Sequence, residues 1–345
     1  MTKVGLVYDP VYLEHDTGAH PESAHRLTNI VRLLEQQGTM ERTVPIPRRR
    51  ATVDEVATVH STAYVSQVEA MAGRGGGWID GDTVVCPASY DVALFAVGGL
   101  LNAVDAVMSG DVASAFALVR PPGHHAMHTD GAGFCLFNNI AVATMHAFDA
   151  YHLQRVLIVD FDVHHGNGTQ DTFYADPRVL YFSVHQYPFY PGTGRLEETG
   201  AGAGEGTTIN VPLPAWCGDD EYLRVFEEIL VPVAKRFQPE VIMVSAGYDA
   251  HWGDRLAQMA LSVGGYAEMA RILHGLAGQL CQGRLILTLE GGYLYEALAS
   301  SIQSTISILS GKPEVIDPLG KPTSARKPPP IDGILQYVRQ LHQVD

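Results

Sequence analysis

The chain has 345 residues, 46% apolar and 18% charged, with a formal net charge of −15. That length and apolar fraction allow a sizeable core and fit one large α/β unit. The acidic balance argues against a nucleic-acid partner, which needs a basic face, and fits a surface that serves solubility or gathers cationic substrates.

Residues 1–10 lack the basic-then-apolar layout of a signal peptide and read as a first strand, at 4–8. Arg48, Arg49 and Arg50, between Pro47 and a helix-like stretch at 52–58, read as a solvated loop. A helical pattern at 89–109 leads to an apolar run at 115–119, which ends in Arg120, Pro121, Pro122, Gly123, His124 and His125. A second helical pattern, 138–150, precedes the run 156–160, which continues into Asp160, Asp162, His164 and His165. Runs at 179–184 and 208–211 flank a glycine-rich stretch, 192–206. It has no Gly-Lys-Ser/Thr and no strand directly before its repeat, so it reads as a turning surface loop and not a phosphate cradle. A helix at 221–236 is followed by the run 241–245 and then Ala246, Gly247, Tyr248 and Asp249. A helix at 266–280 precedes the run 285–289, which ends in Glu290, Gly291, Gly292 and Tyr293, with a further helix at 294–309. Residues 312–331 are proline-rich and read as an extended strap before a final helix at 333–344.

Nearly continuous apolarity in the short runs is the pattern of strands buried on both faces of a parallel sheet. Their alternation with helices predicts a single domain over 1–345 with helices on both faces. Cys86, Cys135, Cys217 and Cys281 are scattered without a C-x-x-C pair, so neither a disulfide framework nor a thiolate metal site is expected. No apolar run approaches the roughly 18 residues of a membrane span, so no membrane partner is expected. A reducing cytoplasm is the expected compartment.

In such sheets function gathers where strands end, and four polar clusters follow four of the runs. In extended chain Asp160, Asp162 and His164 share one side. Two carboxylates and an imidazole suit a divalent metal, although the same pattern also serves capping and surface polarity. Asp249, alone an ordinary N-cap, would raise the set of Asp162 and His164 to three ligands with an open position, the composition of a catalytic zinc site. His124 and His125 are either an accident of a surface loop or, after the stiff Pro121-Pro122-Gly123 turn, a general base and an electrostatic partner. Tyr293 is either a core tyrosine or a donor to an oxyanion over the metal.

These stretches, together with Gly133 to Asn139, Pro191 to Gly194, Asn210 to Leu213 and the segment beginning His20, Pro21 and Glu22, resemble the histone deacetylase family of the arginase/deacetylase superfamily. The resemblance runs from about His20 to beyond Tyr293 and implies a three-layer α/β/α fold around a mostly parallel sheet. It implies zinc, or iron(II) in a cell, on Asp162, His164 and Asp249, with His125 as base and then acid and His124 beside it, oriented by Asp160. Tyr293 would bond the substrate carbonyl, Phe134 and Tyr190 would wall a channel beside Gly133, and Arg26 would border an inner acetate cavity. Potassium is implied at Asp160, Asp162, His164, Ser183 and Val184, with a second ion at Phe173, Asp176 and Val179. Asn167, where another branch has Asp, is similar to class II and would hold His125 without raising its pKa. The implied substrate is an acylated lysine peptide or protein, with an acetylated polyamine as the alternative. Leu256 stands where a polyamine-selective branch carries Glu, which argues against that branch, although Asp254, Glu197 or Glu198 could substitute. A non-catalytic acyl-lysine binder would not need Tyr293 and the His pair, and a two-manganese arginase-like enzyme would need a second D-x-D.

Overall fold

The computed structural model describes residues 3–312, 314–322 and 327–344; residues 1–2, 345 and parts of the expected strap (313 and 323–326) lie outside the described residues. The first part of the chain forms β1 (Val4–Val7), α1 (Ala24–Gln36), β2 (Val44–Ile46), α2 (Val53–Val56), α3 (Thr62–Gly73), the short hairpin β3 (Gly77–Trp78) and β4 (Val84–Val85), α4 (Ser89–Met108) and β5 (Ser114–Ala117). There follow α5 (Asn139–Tyr151), β6 (Val156–Asp160), α6 (Asn167–Phe173), β7 (Val179–Gln186), β8 (Thr208–Leu213), α7 (Asp219–Val225) and α8 (Val231–Phe237). The chain closes with β9 (Val241–Ala246), α9 (Val263–Leu280), β10 (Leu285–Leu289), α10 (Tyr295–Leu309) and α11 (Asp332–Leu341).

Eight strands form one sheet in the order β2-β1-β5-β10-β9-β6-β7-β8, and every pairing in it is parallel. Parallel neighbours need crossovers, and the helices supply them. Helices α1, α10 and α9 pack in series, while α4 packs against α5 and the strands β1, β5 and β10, giving the three-layer α/β/α fold. Strands β5 to β10 are buried along their whole length, as their unbroken apolarity requires. The four cluster-bearing strands, β5, β10, β9 and β6, are consecutive neighbours in the sheet. Asp160 lies in register with Ser245, and Ser245 with Thr288, so the loops that follow emerge side by side at one edge.

Several elements depart from the sequence expectation. Helix α1 was not expected, yet Leu27, Ile30, Val31 and Leu34 carry its buried stripe. The helix expected at 221–236 is interrupted by a π-helical turn at Phe226–Leu230, just before Pro232 removes a backbone donor. Helix α4, at 20 residues, is long and apolar enough for a membrane span, which corrects the expectation; 67% of its most apolar window is buried inside the fold. The arginine run is an exposed loop, as expected, with its side chains paired. Arg48 pairs with Asp9 at 3.1 Å and Arg50 with Asp91 at 2.7 Å, Arg49 pairs with Glu55, and Arg48 and Arg50 lie over the rings of Phe95 and Tyr90.

His60 braces the start of α5. Its Nε2 accepts from the Asn138 N–H at 2.8 Å, so the proton sits on Nδ1, which donates to the Met127 carbonyl at 2.8 Å. Burial, the largest influence, pushes its pKa down to about 4. A depressed folded value means the unfolded chain binds the proton first, so this stability is present above pH ~6.5 and is lost as pH falls through about 4. The loss is on the order of 3 kcal/mol. His60→Gln cannot protonate, so its melting temperature is expected to fall less than that of the parent over this window; parallel curves would contradict the assignment.

Candidate active site and metal centre

Asp162 and His164 follow β6, and Asp249 follows β9. One ligand atom from each lies within 4.8 Å of the others. Asp162 Oδ1 accepts from the His164 N–H at 2.9 Å and lies 3.1 Å from His164 Nδ1, while Asp162 Oδ2 accepts from the Gly291 N–H at 2.7 Å. Asp249 Oδ1 accepts from the Val163 N–H at 3.0 Å. Its Oδ2 is buried, 3.2 Å from His164 Nδ1, and makes no hydrogen bond. Burial first, then the Asp162 charge, raises the Asp249 carboxyl to about 6. Burial would lower His164, but the two carboxylates outweigh it and raise it to about 10. Two buried carboxylates, an imidazole and an orphaned oxygen aimed at their common centre are what a dication with mixed oxygen and nitrogen ligands requires, so these residues fit a zinc-type ion. Gly291 makes room for the set: a Cβ there would overlap Asp249 Oδ2 and lie 2.5 Å from Asp162 Oδ2.

Asp160, the last residue of β6, is not part of the trio, and its carboxylate engages His124 instead. Its Oδ2 lies 3.0 Å from His124 Nδ1 and accepts from the Tyr181 hydroxyl at 3.2 Å. Burial would depress His124, but Asp160 and Asp162 outweigh it and lift the ring to about 10. The neighbouring His125, 4.0 Å away between ring centroids, goes the other way. Burial, then the charges of His124 and His164, holds it well below the usual histidine range. His125 Nδ1 lies 2.8 Å from Asn167 Oδ1; an amide oxygen accepts only, so Nδ1 donates and Nε2 keeps its lone pair. The loop carrying the pair is clamped by Glu290, whose Oε2 accepts from the N–H groups of Gly123 (2.7 Å) and His124 (3.2 Å).

Tyr293 faces this pair across a cavity of about 250 Å³. Burial, opposed by Arg26, keeps its hydroxyl well above the usual phenol range, so it stays a donor. Of the expected channel residues, Gly133, Phe134, Tyr190 and Leu256 all line the cavity. Gly133 adopts a positive φ of 54°, and a Cβ there would run into the His125 ring. Phe134 also has a positive φ, 72°, uncommon for an aromatic residue, and its ring meets Tyr293 edge-on at 5.9 Å. Sequence reasoning missed Phe189, which stacks on His164 at 5.5 Å, and Asp82, which also lines the cavity. Phe189 had a signal, since it adjoins Tyr190.

Arg26 is fully buried behind Tyr293, its guanidinium 5.0 Å from the ring centroid, and is not among the cavity-lining residues. It donates to the carbonyls of Gly292 at 2.7 Å and Glu290 at 2.5 Å. Of the residues implied for potassium, Ser183 and Val184 lie on β7, with Ser183 in register beside Asp160 and its hydroxyl 2.9 Å from His185 Nδ1. Phe173, Asp176 and Val179 are joined by backbone bonds after α6, and the Asp176 carboxylate pairs with Arg178 at 2.6 Å. Asp254 and Glu198, offered as substitutes at the channel mouth, are instead engaged by backbone N–H groups, and neither lines the cavity. Glu197 lines a separate surface pocket with Tyr187 and Ile334.

A wholly parallel sheet with an acidic, histidine-bearing cavity at its strand ends is the arrangement of the arginase/deacetylase fold. The histone deacetylase domain profile matches residues 20–309. The chain belongs to the histone deacetylase family. It is 43% identical over 311 residues to a probable deacetylase of Archaeoglobus fulgidus, covering 89% of this chain and 86% of that one. It is 38% identical over 353 residues to the chloroplastic histone deacetylase 14 of Arabidopsis thaliana, covering 96% and 82%. The solved HD domain of HDA15 superimposes with a TM-score of 0.89 at 35% identity, covering 99% of this chain and 94% of that one. Membership in this family supports deacetylase activity and a metal site.

Proposed function

We propose that this chain is a zinc-dependent amidohydrolase that removes acetyl or other acyl groups from amines, with N-epsilon-acyl-lysine as its substrate. The observation that carries the reading is the convergence of Asp162, His164 and Asp249, one carboxylate oxygen of which is orphaned, beside a histidine held neutral. When bound, the ion supplies a Lewis acid and lowers the pKa of water. Iron(II) suits the same donors.

His125, fixed by Asn167, offers Nε2 as acceptor for the proton of the attacking water and afterwards returns it to the departing amine. His124, kept cationic by Asp160, adds positive charge beside the reacting carbonyl. The Tyr293 hydroxyl donates to the oxyanion. Gly133, Phe134, Tyr190 and Leu256 exclude water along the alkyl chain. Potassium on Asp160, Asp162, His164, Ser183 and Val184, and a second ion near Phe173, Asp176 and Val179, remain part of this reading, as do a single domain over 1–345 and a cytoplasmic setting.

Asp82 in the cavity lining favours a second reading, an acetylated polyamine whose distal ammonium it would meet. Leu256, also in the lining, favours the first. Rates for the zinc-loaded protein on acetyl-lysine peptides, longer acyl-lysines and acetylated polyamines decide between them. The expected order has kcat/KM highest on acyl-lysine; the reverse order moves the assignment to small amines, and no hydrolysis of any of them overturns it.

A further inference from the structure

Asp254, in the loop between β9 and α9, is a buried carboxylate for which the mechanism above has no use. It is 6% exposed, and the hydrogen bonds it accepts all come from backbone N–H groups. Oδ2 accepts from Tyr293 at 2.7 Å and Leu294 at 3.0 Å; Oδ1 accepts from Leu256 at 3.0 Å. A buried charge is costly unless it is fully hydrogen-bonded. Here three N–H groups and the positive end of α10 offset part of that cost, and burial still raises the carboxyl above its usual range.

What the carboxylate joins is informative. Tyr293 follows Gly291 and Gly292, the latter at a φ of 117°, so the approach to the tyrosine has little stiffness of its own. Helix α10, which follows, has no side-chain cap at Leu294. The Tyr293 backbone is therefore held from outside, by Arg26 on the carbonyls before it and by Asp254 on the N–H groups at and after it. The same carboxylate fixes Leu256, on the cavity wall.

We propose that Asp254 is a positioning residue that aims the Tyr293 hydroxyl into the cavity. This rests on the reading of Tyr293 as oxyanion donor, and the test separates the two. Asp254→Asn keeps the volume but presents one acceptor oxygen where two are needed, turning its NH₂ toward a backbone donor. In the zinc-loaded enzyme acting on an acetyl-lysine reporter, kcat is expected to fall about 10- to 100-fold, the cost of misplacing a reacting group by about an ångström. KM and zinc content are expected to hold. In a Tyr293→Phe background the same substitution is expected to cost little, because both changes act through one hydroxyl.

A wild-type kcat in Asp254→Asn, or an equal fold-loss in both backgrounds, overturns the proposal and leaves Asp254 a brace of the fold. A Tyr293→Phe enzyme as fast as the parent overturns instead the role given to the tyrosine. If Asp254→Asn does not fold with its zinc, Asp254→Ser, which retains a short acceptor, is put through the same cycle; failure of both to fold also assigns Asp254 to the fold alone.

Discussion

Tyr293→Phe is expected to lower kcat on an acetyl-lysine reporter by about 10²–10³-fold, the usual worth of one oxyanion donor in a water-poor site. The ring should stay in place, since it contacts Phe134 edge-on at 5.9 Å and the Arg26 guanidinium at 5.0 Å, neither of which involves the hydroxyl. KM should change far less than kcat, because the donor is most needed when charge develops on the carbonyl oxygen. Steady-state kinetics on zinc-loaded protein check this. A variant with parental kcat would remove Tyr293 from the reaction.

Asp249→Asn is expected to abolish turnover and yet to raise the melting temperature of the metal-free protein. Asp249 and Asp162 are both buried, and burial together with the Asp162 charge disfavours ionisation of Asp249, which His164 only partly offsets. Without a bound metal ion the Asp249 charge is a net cost to the native state even with His164 beside it, and a neutral amide relieves that cost. With a cation bound, the second carboxylate becomes an asset, and the amide weakens the grip. Calorimetry of metal-free parent and variant, followed by zinc titration of each, reads both signs. A variant that melts lower when metal-free and still binds zinc as tightly would contradict the electrostatic account.

The strands were legible in the sequence because a parallel sheet buried on both faces writes itself as unbroken apolar runs, as at Val156–Asp160 and Val241–Ala246. Edge strand β2 was not, being three residues long with Pro45 inside it. Nor was the strand order, since pairing such as β10 with β5 joins segments far apart in sequence. Helix α1 had a readable amphipathic stripe that was passed over. At the site, residue types and their position after strands pointed to the candidate ligand trio and the His pair that the fold brings together. The residues that hold them could not be read this way. Glu290 grips the His124 loop and Asp254 the Tyr293 backbone from other parts of the chain, and an isolated Glu or Asp in sequence carries no mark of the N–H groups it will accept from. Asp160 was named as the partner of His124 through the resemblance alone, because the two come from different strand ends.

The most direct measurement is turnover of an acetyl-lysine reporter by protein verified to be free of metal, before and after stoichiometric zinc. The predicted result is no hydrolysis without the ion and a rate that rises in proportion to occupancy, saturating at one zinc per chain. Undiminished hydrolysis by the metal-free protein would contradict the roles given to Asp162, His164 and Asp249.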